Sequence, residues 1–267
     1  MIPLNTGGDT PCSEIQPSIH EFISVIGCNC TRCLLARNFL LNASASTSMK
    51  TQCPPHFKCW LEIMDKQHRY GANLRSYFKH WKDEVRSPDS GSFWSWLDGP
   101  LKPDLAECRR DHLQRDVVLY LEPHERAKHE ICFSDGRLYC SDNELFETTN
   151  SLDPVPAQRA EEWIFVWSLS DVLYAHVKIT KHSPRFQHTT FLGGEPVQAA
   201  GKLVVRQGVL LEIAPHSGHY RPGQRSLLNL LRFLEKNSVD LSGVQVAVQY
   251  NGQRVACSTQ PCAPFFL

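Results

Sequence analysis

The sequence lacks the short motifs that identify the most easily recognised enzyme classes. It contains no P-loop, no dinucleotide-binding glycine pattern, no H-E-x-x-H and no G-x-S-x-G. Their absence removes the classes that a motif alone can identify. A Cys–His nucleophilic pair stays open, because its members need to be adjacent only in space, but nothing singles out one of the 11 cysteines.

A net charge is also lacking, since Lys and Arg together number 28 and Asp and Glu together number 28. A chain without net charge has no overall field that would attract a nucleic-acid backbone or an anionic membrane. No run of basic residues interleaved with aromatics compensates for this. We therefore expect no nucleic acid and no membrane among the partners.

Hydrophobic runs are too short to cross a bilayer. The run from Leu34 to Leu41, for instance, is interrupted by Arg37 and Asn38. The first residues show neither the basic region nor the apolar stretch that is typical of a signal peptide. These observations predict a protein of the cytoplasm and/or the nucleus, where a reducing environment keeps most cysteines as free thiols.

The composition of the chain changes near residue 54. Before this point, prolines, a Gly-Gly pair and the small-residue run Ala43–Ser48 are typical of a linker. After it, hydrophobic residues recur at regular spacing, as expected for a folded core. We predict a flexible extension over residues 1–53, a globular domain over 54–250 and a C-terminal tail over 251–267.

Three cysteines of the extension, Cys28, Cys30 and Cys33, form a C-x-C-x-x-C pattern. Thiolates at this spacing can share a metal ion, but a structural zinc site needs a fourth ligand and usually two spaced pairs. A fourth ligand would reach these cysteines only through a long loop. We therefore expect no metal and no cofactor. Cys132 and Cys140, which could face each other across a predicted hairpin, are expected to remain reduced.

The first part of the predicted globular domain has the pattern of helices. Apolar residues recur at helical spacing, which predicts helices over Phe57–Met64, Leu74–Trp81 and Leu105–Leu121. The aromatic patch Phe93–Asp98 follows a breaker. We assign this patch to the core, because each of its rings buries a large area.

Strand patterns follow from about residue 130. Three hairpins are predicted, with turns at Asp135-Gly136, Ser170-Asp171 and Gln207-Gly208. A helix capped by Ser226 and a strand over Val244–Val248 come last. The predicted fold class is α+β in a single domain, with N-terminal helices followed by antiparallel β hairpins and a C-terminal helix.

The stretch Phe186–Pro222 holds most of the residues that could carry chemistry. Its polar side chains lie next to glycines, at positions that predict loops, and loops on a rigid scaffold commonly carry function. The candidate binding residues are His188, Thr189, Thr190, His216, Ser217, His219, Tyr220 and Arg221.

This stretch has two interpretations. In the first, the two loops meet, and imidazoles that exchange protons near neutral pH form a small pocket. Thr hydroxyls, glycine amides and Arg221 would suit a phosphate or nucleotide there. In the second, the same side chains form a hydrogen-bonded turn network at the corner of a sheet. The second is favoured, because no carboxylate stands beside the histidines in the sequence and Glu195 is the nearest.

The same residues resemble a known family. Their ordered motifs, from about Pro54 to Val244, are similar to the globular region of the plant IQ-motif calmodulin-binding proteins, the IQM family. The motifs are HRYG at 68–71, FWSWLD at 93–98, WIFVWS at 163–168, FQHTTFLGG at 186–194, AAGKLVV at 199–205, PHSGHYRP at 215–222 and FLEKNSVDLS at 233–242.

The resemblance implies a non-enzymatic interaction protein of calmodulin-linked signalling or stress response. In that family, calmodulin binding is attributed to an I-Q-x-x-x-R-G-x-x-x-R helix, which this sequence does not contain. Ile15-Gln16 is followed at once by Pro17, and Leu113-Gln114 has Val118 and Pro123 at the two arginine positions. The family's calmodulin contacts therefore cannot be carried over to any residue here.

A weak substitute for that helix is Arg32–Leu41, in which Leu34, Leu35, Phe39 and Leu41 could pack on a partner beside two arginines. The same composition also suits a segment that docks on its own domain. The expected partner is calmodulin or another protein. The alternative function is a ligand- or nucleotide-processing, transferase-like domain that uses the candidate binding residues.

Overall fold

The computed structural model describes residues 55–56, 59–87, 89–101, 103–149, 161–250 and 253–258. These residues form an α+β fold in which short helices come first and a sheet of eight strands follows. The predicted extension, with its C-x-C-x-x-C pattern and the segment Arg32–Leu41, lies outside the described residues. Among the helices of the described ranges, none has the length and apolar character needed to span a bilayer.

The α-helices are numbered in chain order. They are α1 (Trp60–Met64), α2 (Gly71–His80, continued by the π-helical segment Trp81–Val85), α3 (Phe93–Leu97), α4 (Arg110–Arg115), α5 (Pro123–Arg126), α6 (His188–Leu192) and α7 (Gln224–Lys236). Capping explains where some of them begin. At the start of α3 the Ser95 N–H donates to Ser92 Oγ at 3.1 Å, and Pro123 occupies the first turn of α5.

The first helices share an aromatic core. Phe93 is fully buried, and its ring centroid lies 5.2 Å from that of Phe78 and 5.9 Å from that of Trp81. The predicted aromatic patch therefore belongs to this core, although Trp94 and Trp96 remain half-buried. We call the following buried residues the helical cluster: Trp60, Leu61, Ile63, Met64, Leu74, Tyr77, Trp81, Phe93, Leu97, Leu105, Cys108 and Leu113.

A buried ion-pair network joins two of the motifs noted in the sequence. The guanidinium of Arg69, from HRYG, is fully buried. It donates from Nε and Nη2 to Asp65 at 2.7 and 2.8 Å, and from Nη1 and Nη2 to Asp98, from FWSWLD, at 2.7 and 3.0 Å. Because a buried charge is tolerated only when it is paired in this way, these motif residues have a structural role.

The strands form one sheet of mixed direction. They are β1 (Glu130–Ser134), β2 (Arg137–Cys140), β3 (Trp163–Ser168), β4 (Leu173–Val177), β5 (Val197–Arg206), β6 (Val209–Ala214), β7 (Gln245–Tyr250) and β8 (Gln253–Ser258). Their order is β2-β1-β4-β3-β5-β6-β7-β8, and of the described pairings only β6–β7 is parallel. The sheet curls, so that the Leu138 N–H of β2 donates to Gly208 O in the β5–β6 turn at 2.8 Å.

Both faces of the sheet are covered by apolar side chains. On one face, Phe165 packs in the same core as Leu230 of α7. On the other face, Ile164 and Val166 pack with Phe191 of α6. Because successive residues of a strand point to opposite faces, a strand that is buried on both sides is expected to be apolar, as β3 is from Trp163 to Trp167.

The three predicted hairpins are present as β1–β2, β3–β4 and β5–β6. The predicted helix over Leu105–Leu121 is wrong in extent, since α4 is short and the chain beyond it forms extended bridges with Arg69 and Arg185. Ser226 does not cap α7, which begins after Gly223. β8 lies in the part of the chain that we predicted as a tail.

Cys132 and Cys140 do not face each other. In the register of the β1–β2 hairpin, Cys132 lies opposite Tyr139 and Cys140 lies opposite Ile131. Since one step in a strand reverses the side-chain direction, the two thiols point to opposite faces of the hairpin. Both are free thiols.

Candidate functional site

His188, Thr189 and Thr190 form the first turn of α6, where the sequence analysis expected a loop. A capping box starts this helix, in which the Gln187 N–H donates to Thr190 Oγ1 at 2.9 Å. A capping box usually has Ser or Thr at the N-cap and Glu or Gln three residues later. Here the order is reversed, with Gln187 at the N-cap and Thr190 three residues later. For that reason the sequence pattern did not reveal the helix. Gly193 ends it with a φ of +59°.

His188 is buried and links α6 to the sheet. Its Nε2 lies 2.9 Å from Gly201 O of β5, and because a carbonyl oxygen only accepts, this nitrogen carries the proton. Burial lowers the pKa of His188 to about 3, although the bond to Gly201 raises it, and the neighbouring His219 lowers it further. The ring is therefore neutral at physiological pH and acts there as a hydrogen-bond donor.

A buried carboxylate that the sequence analysis did not select, Glu62 of α1, lies at the centre of the candidate residues. It accepts the Gly71 N–H at 3.1 Å and the Thr189 hydroxyl at 3.2 Å. His219 Nε2 lies 3.4 Å from the same carboxylate. Glu62 thus joins the helical cluster to both halves of the candidate stretch.

The sequence carried only a weak signal for Glu62. All five residues of α1 are buried, so that a charged residue within WLEIM has to find partners inside the protein. Its partner Thr189 is 127 residues away along the chain. No local pattern could have identified that pairing.

The segment 215–222 remains a turn, and it is held by its own bonds. Ser217 is buried, and its Oγ accepts the Tyr220 N–H at 3.2 Å. The buried Tyr220 hydroxyl donates to the main-chain oxygen of Glu195 at 3.0 Å. His216 and Arg221 are exposed, while the side chain of His219 is 14% exposed.

Cys59 lies close enough to Glu62 for the carboxylate to affect its pKa. Burial, together with the negative charge of Glu62, raises the pKa of Cys59 to about 12, whereas Arg75 and Arg221 lower it. The thiol is therefore protonated at neutral pH. Because the thiolate is the reactive form, Cys59 is unsuited to act as a nucleophile.

A charged group borders the site on the sheet. Lys178 and Lys202 donate to the two oxygens of Glu162 at 2.8 and 2.6 Å. Burial opposes ionisation of Glu162, but the two lysines outweigh it and lower its pKa to about 2. His216 is near this group, and its pKa is lowered by partial burial and by Lys202.

Together these contacts form a hydrogen-bonded junction between the helical cluster, α6 and the segment 215–222. Five candidate residues, namely His188, Thr189, Thr190, Ser217 and Tyr220, are buried. Each has a hydrogen-bond partner within the protein. No group of three or more His, Cys, Asp or Glu side chains suited to a metal ion occurs among the described residues.

The fold and this junction define a class of α+β domain with a curled mixed sheet, to which a helical cluster is tied by a buried carboxylate. Residues 125–227 match the family profile described as the IQ motif-containing protein middle domain. No solved structure matches the chain. The profile covers α6, β5, β6 and the segment 215–222, and thus all eight candidate residues.

Curated relatives extend the match towards the N-terminus. The chain is 38% identical to the IQ domain-containing protein IQM2 of Arabidopsis thaliana over 193 residues, which are 70% of this chain and 30% of that relative. It is also 38% identical to IQM3 of the same plant, over 71% of this chain and 40% of the relative. The chain therefore carries the globular domain of the IQM family, and it spans less than half the length of these relatives.

Proposed function

We propose that this protein acts through protein–protein interaction, as an IQM-type protein of calmodulin-linked signalling or stress response in the cytoplasm and/or the nucleus. The observation that carries the proposal is that five candidate residues are buried and each is hydrogen-bonded within the protein. Such a network stabilises a fold and leaves few groups free to act on a substrate. The relatives, which are named IQ domain-containing proteins, support the link to calmodulin.

Calmodulin targets typically offer an apolar helix face with basic residues beside it. α7 has this composition, with Leu230 and Leu234 on one side and Arg225 and Arg232 on the other. Its leucines are buried in the core, however, and would have to leave it in order to enter a groove. A target within this chain is therefore better sought in Arg32–Leu41, whose sequence combines the same residue types.

Titration of labelled calmodulin with the full chain, with calcium and with a chelator, tests this proposal. We expect saturable binding that the double variant Leu35→Asp/Phe39→Asp weakens about tenfold or more, because a few apolar anchors carry most of the energy of such an interface. The matched control Ala43→Asp/Ala45→Asp adds the same charge nearby and should bind like the parent.

Absence of saturable binding in both conditions would reject calmodulin as the partner. Equal binding by the anchor variant and its control would reject Arg32–Leu41 as the target. Calmodulin would then have to bind another segment of the chain.

The alternative, a ligand- or nucleotide-processing domain, is less well supported. Its best remaining feature is the Glu62–His219 pair, because His219 keeps partial exposure. The oxygen of Glu62 that lies near His219 also accepts the Thr189 hydroxyl, and the protonated Cys59 offers no nucleophile. The pair therefore has a sufficient structural explanation.

A further inference from the structure

Two histidines, His129 and His176, come together where β1 meets β4. His129 ends the 3-10 helix Ala127–His129, which leads directly into β1, and His176 lies on β4. Their ring centroids are 4.8 Å apart and their ring planes are perpendicular. Both residues are half-buried. The sequence gave no sign of this pair, because its members are far apart along the chain.

The pair packs against aromatic side chains. The ring of His176 is stacked on that of Phe186, with centroids 4.1 Å apart, and the ring of His129 meets Phe186 edge to face at 5.5 Å. Phe191 lies 6.2 Å from His129. A phenylalanine would fill such positions without the cost of taking ring nitrogens out of water. Packing alone therefore does not account for two imidazoles here.

The hydrogen bonds of the pair leave nitrogen lone pairs free. His176 Nδ1 lies 2.7 Å from Val177 O, and because a carbonyl oxygen only accepts, Nδ1 carries the proton and Nε2 carries a lone pair. Within the described ranges, neither His176 Nε2 nor the ring of His129 has a hydrogen-bond partner, and neither is closed off from water. A histidine that ligates a metal ion usually has its other nitrogen bonded to a carbonyl or carboxylate in this way.

Both rings are neutral at physiological pH. Burial, together with His176 and Lys128, lowers the pKa of His129 to about 4, against an opposing effect of Glu125. Burial and Lys128 also lower the pKa of His176, whereas Glu161 raises it. Because a metal ion binds the deprotonated imidazole, protons do not compete for these nitrogens near neutral pH.

The separation of the two rings suits one shared ion. Transition-metal ions bind imidazole nitrogen at about 2.0 to 2.1 Å, and two imidazoles on one ion then have their centroids roughly 5 Å apart. Water would complete the coordination, because the described part of the chain holds no group of three or more His, Cys, Asp or Glu side chains suited to a metal ion. A site with two protein ligands binds its ion reversibly.

We propose that His129 and His176 together bind a divalent transition-metal ion of the Zn²⁺ kind, for which neutral imidazole is a suitable ligand. The ion ties the start of β1 to β4. Among the described residues, these two strands share only two residue pairs. The metal bridge therefore strengthens the attachment of the β1–β2 hairpin to the sheet, and it does not depend on calmodulin binding.

Titration of the full chain with Co²⁺ tests the proposal, because this paramagnetic ion uses the same ligands as Zn²⁺. The protein is labelled with ¹⁵N-histidine, and its accessible thiols are alkylated so that they do not bind the ion. We expect the ring signals of His129 and His176 to shift or broaden together, and Zn²⁺ to reverse the effect by competition. His129→Phe keeps an aromatic ring in place and should weaken Co²⁺ binding, read at His176, about tenfold or more.

Two further readouts distinguish this pair from ordinary surface histidines. The response should persist at pH 5.5, where an exposed histidine is largely protonated and binds metal poorly. Zn²⁺ should also slow amide hydrogen exchange in β1, since a ligand that binds only the folded arrangement opposes its opening. His129→Phe should abolish both effects.

The exposed residue His182 provides the matched control, and His182→Phe should respond like the parent. Equal Co²⁺ affinity at His176 in the parent and in His129→Phe would overturn the proposal, because it would show that the two rings do not share an ion. Unchanged ring signals of both histidines up to about 1 mM Co²⁺, the range of very weak binding, would overturn it as well.

Discussion

Single polar side chains connect distant parts of this chain. Arg69 bonds to Asp65 and Asp98, and Glu62 accepts from Thr189. Removal of one member of such a group leaves the other charge or donor buried and unpaired, which costs more than the contact itself contributes. The polar residues that the sequence analysis singled out therefore stabilise the fold, whether or not they also take part in a reaction.

His188 should make the protein sensitive to acid. The pKa of this imidazole is about 6.5 in an unfolded chain and about 3 in the folded protein. Between these two pH values the imidazole is therefore protonated in the unfolded state and neutral in the folded state. The free energy of unfolding should therefore fall as the pH drops from 6.5 towards 3, by up to about 1.4 kcal/mol per pH unit from this residue.

Urea denaturation of His188→Gln measures that contribution, because the amide can still donate to Gly201 O. The variant should lose less stability than the parent between pH 6.5 and 4.5. Some decline will remain, since burial, with help from His176, also lowers the pKa of His129 to about 4. An exposed control, His182→Gln, should follow the parent. Parallel curves for the parent and His188→Gln would contradict the assignment.

At the scale of elements, the close approach of β5 and β6 depends on Gly201. A Cβ at this position would lie 2.0 Å from the main-chain oxygen of Ala214 and 2.9 Å from the ring of Phe165. The backbone would have to move, and Gly201 O would move away from His188. The glycine in AAGKLVV is thus explained by strand packing.

Gly201→Ala should lower the free energy of unfolding by about 3 kcal/mol or more, because overpacking against backbone cannot relax through a rotamer change. Gly218→Ala is the matched control, since a Cβ there meets no atom within 4 Å. Chemical denaturation of both variants provides the measurement. A loss below about 1 kcal/mol for Gly201→Ala would show that the strands can separate at little cost.

Elements that depend on local chemistry could be predicted from the sequence. The turns at Asp135-Gly136, Ser170-Asp171 and Gln207-Gly208 were correct, because residues that accept a positive φ mark them. α6 was missed, since its capping box has an unusual order of residues and its five residues are too few to show a helical period. The helix over Leu105–Leu121 was predicted too long, because Val117 and Val118, beyond α4, are extended and form bridges with the remote residues Arg69 and Arg185.

At the scale of the whole molecule, the balance of 28 basic and 28 acidic residues predicts weak interaction with polyanions. We expect no retardation of duplex DNA or single-stranded RNA at roughly 10 µM protein and physiological salt, where basic proteins bind non-specifically. Gel-shift titration at two salt concentrations checks this. A shift that weakens steeply with salt would reveal a local basic surface that overrides the balance.

Long-range organisation was the part that the sequence could not provide. The parallel β6–β7 pair and the curl that brings Leu138 to Gly208 depend on contacts between remote segments. The same is true of the candidate site. The sequence analysis selected Thr189 and His219, but the carboxylate that contacts both of them, Glu62, lies 127 residues before Thr189 in the chain.

The position of Glu62 has a consequence for synthesis of the chain. It leaves the ribosome well before Thr189 and His219, and translation of the intervening residues takes roughly 10 to 30 s. During that interval only the Gly71 N–H, of the partners described above, is available to Glu62 inside the protein. We therefore expect the nascent N-terminal half to stay partly unfolded, and to be bound by chaperones, until the sheet that completes it has been synthesised.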